Sequence, residues 1–332
     1  MPSMPSVNSL PIEHFVTLFD NNFLPMGLCL HESLTSTSQK FKLWVVCMDN
    51  QVEAHLRQLN LPNVGLIPLV EVEGEVLLKV KQSRTAGEYC WTLTPFTAQF
   101  VFERDSTAER VTYLDADLFF YADPALLLDE FSNSGKHVLI TEHAYPPKMA
   151  SSKRALRSGR FCVQFVTFRR TAEAAKVMIW WQARCLEWCF ARVEDGKFGD
   201  QKYLDNWPTL FGDQVHVLEQ RKKTLAPWNV EYFSELEENS LAPVFYHFHG
   251  FRYIAPGKVR LYSGYRISPA GMALYDQYLA SFTNQCLRLR ANDIVVPVLP
   301  LRNDLWGRLL SVKRRLLEGE GYVELPTLAG AE

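Results

Sequence analysis

The run Val111-Thr112-Tyr113-Leu114-Asp115-Ala116-Asp117-Leu118-Phe119-Phe120 reads as a buried strand that ends in two carboxylates one residue apart. Val111 to Leu114 carry no charge and are β-branched, aromatic or aliphatic, the pattern of a strand covered on both faces. A carboxylate at the edge of such a core costs several kcal/mol unless a cation pairs with it. Two so close cost more, because like charges resist joint ionisation. Asp115 and Asp117 therefore point to a hard divalent cation, Mn²⁺ or Mg²⁺, for which oxygen ligands are suited. The plainer alternative is a pair of capping aspartates; the cost of leaving both unpaired favours the metal. In open α/β sheets the C-terminal end of a strand is also where ligands bind.

Working outward, the pattern alternates strand and helix. Strands are expected over 15–19, 41–48 and 64–69, with helical spacing over 28–34 and 51–59 between them. Such alternation gives a doubly wound, mostly parallel sheet flanked by helices. The carboxylate strand would be the fourth, well inside the fold. Residues 79–88 read as a polar loop bearing Lys79, Lys81 and Arg84, followed by a helix over 89–103. Beyond the motif, Asp123-Pro124 opens a helix, since Asp caps well and Pro suits the first turn. Strands follow at 138–141, 161–168 and 244–246, and helices at 172–190 and 270–282; residues 145–160 read as a mobile basic loop. The tetrapeptide Phe-Gly-Asp-Gln occurs at 198–201 and again at 211–214; two copies do not make a repeat architecture. The chain divides into one domain over 1–302, with halves of about 12–130 and 131–302, and a tail over 303–332.

The 332 residues are 47% hydrophobic and 22% charged, with a formal net charge of −2. That is ordinary for a globular chain and gives no global field toward nucleic acid. The first residues have neither the basic nor the apolar region of a signal peptide, and no uncharged apolar run is long enough to span a bilayer. The expected location is cytoplasmic. Seven scattered cysteines read as buried apolar thiols, Cys185 and Cys189 being one helical turn apart.

The motif resembles the Asp-X-Asp of GT-A-fold glycosyltransferases, and the order of the surrounding motifs is similar to that of the glycogenin-like, retaining family 8. Asp20-Asn21-Asn22 at the end of the first strand resembles the family's nucleotide-holding segment, and Arg84 its basic residue before the motif. Ser158-Gly159-Arg160-Phe161 matches an Asn-Ser-Gly-like strand start without the Asn. Asp200-Gln201 resembles the pair near the donor sugar, and Leu225-Ala226-Pro227-Trp228-Asn229 the Leu-Pro-X-X-Asn element. His247-Phe248-His249-Gly250 keeps the first half of His-X-X-Gly-Lys-Pro-Trp; the Lys is absent, and Arg252 or Lys258 is left to replace it. The likeness runs from about residue 14 to 255.

The resemblance implies a transferase that moves a sugar from a nucleotide-diphosphate sugar, a uridine-diphosphate sugar in that family, to an acceptor hydroxyl with retention. The acceptor would be a glycan or glycolipid. Asp115 and Asp117 would bind the metal, with His247 as third ligand and His249 as its rival, expected on the opposite strand face. Asp20 and Asn22 would touch base and ribose, and Arg84 phosphate or sugar. Asp200 would accept from sugar hydroxyls and Gln201 lie near the anomeric carbon; the bland alternative is that Gly199-Asp200 caps a helix. The rivals are a haloacid-dehalogenase-like phosphatase, using Asp115 with Gly199-Asp200-X4-Asp205, and a sugar- or nucleotide-binding module without turnover. The stretch 305–317 is amphipathic, with Trp306 and Leu on one side and Arg308, Lys313, Arg314 and Arg315. It suits either an interfacial helix on anionic lipid, at the inner face of a membrane, or a docked terminal helix.

Overall fold

A computed structural model describes residues 12–38, 40–300 and 319–329. The strands of its main sheet are β1 (Glu13–Phe19), β2 (Phe41–Cys47), β3 (Val64–Pro68) and β4 (Arg110–Leu114). After the short β5 (Leu118–Phe120), β6 (Val138–Glu142), β7 (Phe161–Arg169) and β8 (Val215–Val217) complete it. The order is β3-β2-β1-β4-β7-β6-β8. β7 runs against both β4 and β6, and the other pairings are parallel. The expected doubly wound, mostly parallel sheet is therefore present.

The central strands β1, β2, β4, β7 and β6 bury both faces, as their mostly apolar sequences require. Phe15 and Phe19 of β1 join one core with Leu43, Val45 and Leu114, while Val16 and Leu18 join the opposite core with Trp44, Val46, Val111 and Tyr113. A small sheet, β5-β10-β9, adds β9 (Thr224–Leu225) and β10 (Phe245–His247). A third, antiparallel, holds β11 (Arg252–Ala255), β12 (Lys258–Ser263) and β13 (Glu320–Glu324).

Several helices depart from the sequence expectation, each for a local reason. The first runs Leu24–Thr37, longer than 28–34, with Pro25 in its first turn and the hydroxyls of Thr35, Ser36 and Thr37 donating back to carbonyls four residues earlier. The expected helix over 89–103 is two helices, Ala86–Leu93 and Thr97–Arg104, joined by a tight turn at Thr94–Phe96. Pro95 has no N–H to continue the ladder. The start at Ala86 is set by a capping box between Thr85 and Glu88. Lys79 and Lys81 belong to a helix, Glu75–Lys81, and not to a loop. Within 145–160, a turn at Pro147–Met149 leads to a helix, Lys153–Ser158, which Ser152 caps. Asp123 accepts from the Ala125 amide at 2.9 Å and opens the helix Ala125–Ser134.

Of the tail, residues 319–329 are described. β13 pairs with β12, and Arg290 donates to the Leu328 carbonyl at 2.6 Å, so this part is built into the body. The basic stretch 305–317 lies outside the described residues. Among the described residues no helix is long and apolar enough to cross a membrane. The cysteines are free; all but the partly exposed Cys90 are buried.

Candidate functional site

β1 and β4 are neighbours, with Val16 opposite Tyr113, although β2 and β3 separate them in sequence. The chain leaves β1 toward β2 on one side and returns to β4 on the other, which makes their C-terminal ends a topological switch point. Asp20 ends one of these strands and Asp115 the other. The Asp115-Ala116-Asp117 segment is a tight turn: the Leu118 amide donates to the Asp115 carbonyl at 3.2 Å. β5 leaves that turn and pairs antiparallel with β10, which sets His247 opposite Leu118. The Phe248 amide closes the corner by donating to the Asp117 carbonyl at 2.8 Å.

One ligand atom from each of Asp115, Asp117 and His247 lies within 4.8 Å of the others. His247 Nε2 is 3.0 Å from Asp117 Oδ1 and 3.7 Å from Asp115 Oδ2. Its Nδ1 donates to Gln164 Oε1 at 2.8 Å, which fixes the ring and turns Nε2 toward the carboxylates. Two carboxylates and one imidazole nitrogen, converging with one ring nitrogen already occupied, fit a divalent cation. These three residues could hold a metal ion.

The electrostatics agree. Burial pushes the Asp115 carboxyl up, against the charge of His247. Burial opposes ionisation of Asp117 too, but His247, by charge and hydrogen bond, holds it below the usual carboxylate range. His247 is raised well above its ordinary value: burial works against its charge, and Asp117 overcomes it. Burial, then the Asp115 charge, push the buried Asp200 carboxyl up to about 8. Asp115 and Asp117 thus share one imidazole, and Asp200 stands close enough to feel the Asp115 charge.

A cavity of about 620 Å³ opens over this cluster. Asp20, Asn22, Asp115, Asp117, Asp200, Gln201, His247, His249 and Arg252 all line it. The sequence pattern and the fold therefore bring most of the expected site residues to one place. Asp20 accepts from the Asn22 amide at 3.0 Å and from its Nδ2 at 2.9 Å, shaping the turn after β1. Gln201 donates to the Ser158 carbonyl at 2.9 Å. Asp200 precedes a short tight helix, Gln201–Asn206, but makes no side-chain cap bond to it.

Other expectations come apart. Arg84 does not line the cavity; its guanidinium stacks on Phe190, 3.8 Å from the ring centre. Arg154 and Arg157 are cations that do line it. Lys258 is outside, paired with Glu324 at 3.4 Å, so of the two replacements for the missing Lys only Arg252 is placed to serve. His249 does not point to the opposite face from His247: the rings lie 5.6 Å apart. Strand alternation separates neighbours, not residues two apart, and β10 ends at His247. Burial and the His247 charge pull His249 down to about 3. Asp205, which a phosphatase would need beside Asp115, instead accepts from the Arg160 amide at 2.8 Å and pairs with Lys202 at 2.7 Å.

Gln164 was not singled out from sequence. Its signal was available: an amide in the apolar run of β7, fully buried, needs a partner. Trp228 and Asn229 act together as a brace. Both donate to the His143 carbonyl, at 2.7 and 3.0 Å, and Trp228 stands edge-on to His247 at 5.3 Å.

Comparison with known proteins bears on the family and the fold. The chain is 30% identical over 255 residues to the uncharacterized protein YfnF of Bacillus subtilis, covering 74% of this chain and 84% of YfnF. It is 32% identical over 264 residues to the uncharacterized protein YfnD of the same organism, covering 76% of this chain and 83% of YfnD. No family model matches it. Among solved structures it resembles the galactosyltransferase LgtC, crystallised with donor and acceptor sugar analogues, with a TM-score of 0.53 at 13% identity over 84% of this chain and 99% of that one. The fold is the GT-A glycosyltransferase fold.

Proposed function

This chain belongs to the family of YfnF and YfnD of Bacillus subtilis, and on the geometry of its site we propose that it is a metal-dependent glycosyltransferase that takes a sugar from a nucleotide-diphosphate sugar, a uridine-diphosphate sugar by its resemblance to the glycogenin-like family 8. The observation that carries this reading is the convergence of Asp115, Asp117 and His247, with Gln164 holding the imidazole so that Nε2 faces the carboxylates. A Mn²⁺ or Mg²⁺ ion bound there would supply positive charge against the charge that gathers on a leaving diphosphate.

The chain's own residues do the rest. Asp20 and Asn22, which line the cavity just after β1, are assigned to base and ribose, and Arg157 and Arg252 to the phosphates. Asp200, in the same cavity wall, is assigned to the donor sugar. The raised carboxyl of Asp200 can donate as well as accept, which suits hydroxyls that do both. In the transfer, the bond from the anomeric carbon to the terminal phosphate oxygen breaks and its electron pair leaves with the diphosphate. The acceptor oxygen bonds to the same carbon, and its proton passes to the departing phosphate. Attack from the face being vacated retains the configuration. The acceptor is a glycan or glycolipid hydroxyl.

The test is uridine-diphosphate binding by calorimetry with and without Mn²⁺, beside transfer from uridine-diphosphate sugars. Asp117→Ala is expected to lower transfer by about a hundredfold or more and to abolish the metal-dependent part of binding, since it removes several kcal/mol of charge stabilisation. Gln164→Leu, which leaves the ligands in place, is expected to weaken metal affinity by about ten- to a hundredfold. Full activity in excess chelator would overturn the reading.

A further inference from the structure

A second cavity of about 900 Å³ adjoins the first. Arg154, Trp228 and Tyr265 line both. These shared side chains form a common wall: Tyr265 lies 6.4 Å from Trp228 and 6.2 Å from His249, and the Arg154 guanidinium covers the Tyr265 ring at 4.5 Å. The second cavity therefore shares a wall with the one over Asp115, Asp117 and His247. It runs outward between two elements. On one side are the Pro147–Met149 turn and the start of the helix Lys153–Ser158, with Lys148 and Lys153; on the other is the helix Val230–Leu236, with Glu231, Tyr232 and Glu235. Arg266 also lines it.

Its charge is not explained by the donor. Arg154, Arg157 and Arg252 already face the first cavity, whereas Lys148, Lys153 and Arg266 line only the second. Those three are exposed and have no carboxylate partner within salt-bridge distance among the described residues. Trp228, Tyr232 and Tyr265 give the same groove aromatic surface, and Glu231 and Glu235 give it acceptors for hydroxyl groups. Aromatic faces with carboxylates suit a sugar ring, and the surplus cations suit a negative substituent on it.

We infer that this groove is the acceptor site and that the acceptor is a saccharide carrying an anionic group, a phosphate or a carboxylate, bound by Lys148, Lys153 and Arg266. The inference rests on the glycosyltransferase reading. It adds the chemical class of the second substrate and the surface that selects it. The hydroxyl to be glycosylated enters past Trp228 and Tyr265 toward the donor cavity, while Lys148, Lys153 and Arg266 hold the anionic group.

The test compares neutral methyl glycosides with the same sugars carrying a 6-phosphate or a 6-carboxylate. Binding to the full chain is measured by calorimetry without donor, and acceptor KM with donor where transfer is seen. Uridine-diphosphate binding with Mn²⁺ is followed in parallel. The anionic sugars are expected to bind about tenfold tighter than the neutral ones at low salt, and Lys148→Glu with Lys153→Glu and Arg266→Glu to remove that difference without changing nucleotide binding. Inorganic phosphate serves as the bare-anion control and is expected to bind more weakly than the sugar phosphate. Equal binding of neutral and anionic sugars, no effect of charge reversal, or phosphate binding as tightly as the sugar phosphate would each overturn the inference. Loss of nucleotide binding in the unaltered chain would instead overturn the donor reading.

Discussion

Phe198-Gly199-Asp200-Gln201 and Phe211-Gly212-Asp213-Gln214 are the same four residues in two settings. In the first, Phe198 lies beside Trp91 at 6.1 Å, Trp181 Nε1 donates to the Asp200 carbonyl at 2.9 Å, and the Asp200 side chain is sunk in the cavity wall. In the second, Phe211 packs edge-on against Trp180 at 5.8 Å, but Asp213 stands in solvent, with Lys136 3.5 Å away. Both glycines have positive φ, +56° and +26°, so both copies turn sharply. The lesson is that the tetrapeptide encodes a turn. What the aspartate does there depends on the walls that other parts of the chain put around it.

The largest expected effect breaks the comparison at the aspartates. Asp200→Asn should lower turnover by about a hundredfold or more, the scale of losing a group that acts on the reacting sugar, while uridine-diphosphate binding changes little. Asp213→Asn should leave both unchanged. Equal loss of nucleotide binding and turnover in Asp200→Asn would assign the residue to structure.

The glycines sharpen it at smaller amplitude. A Cβ on Gly199 would lie 3.3 Å from the Trp91 ring, whereas one on Gly212 meets nothing within 4 Å. Both alanines bear a left-handed backbone cost of about 1–2 kcal/mol. Gly199→Ala also presses on Trp91 and shifts Asp200, so its melting temperature should fall further and its activity with it. Gly212→Ala should melt a few degrees low, at about 2–4 °C per kcal/mol, and keep its activity.

The smallest effect is a slope. Burial and the Asp115 charge raise the Asp200 carboxyl to about 8, above the ordinary value of 3.8. The folded chain then holds a proton that the unfolded chain releases, so stability falls as pH rises from about 4 to 8. In chelated protein, Asp200→Asn should flatten that part of the denaturation midpoint against pH. An unchanged slope in Asp200→Asn would show that the carboxyl ionises freely in the folded chain.

Much of the molecule was legible in the residues. β1, β2, β4 and β7 were readable because a strand buried on both faces needs a mostly apolar run, and theirs begin and end within a residue or two of the sequence expectation. The Asp115/Asp117 pair was legible because two acids at the end of such a run carry an electrostatic cost that needs a cause. Helix limits were less so. Pro95 splitting one helix, and Thr85 with Glu88 starting it early, are choices made by hydrogen bonds that compete over single residues.

By itself, then, the sequence determined the layered α/β architecture, the position of the acid pair at a strand end, and the order in which Asp20, Asp200, Gln201 and His247 follow along the chain. The tertiary structure alone decided which histidine nitrogen faces the acids, that Gln164 holds it there, that Arg84 stacks on Phe190 outside the cavity while Arg157 lines it, and which of two identical tetrapeptides reaches the site. The division has one physical cause. Burial periodicity is local and is written in neighbouring residues, whereas a site of this kind is closed by contacts such as His247 with Gln164, 83 residues apart, whose geometry no local pattern records.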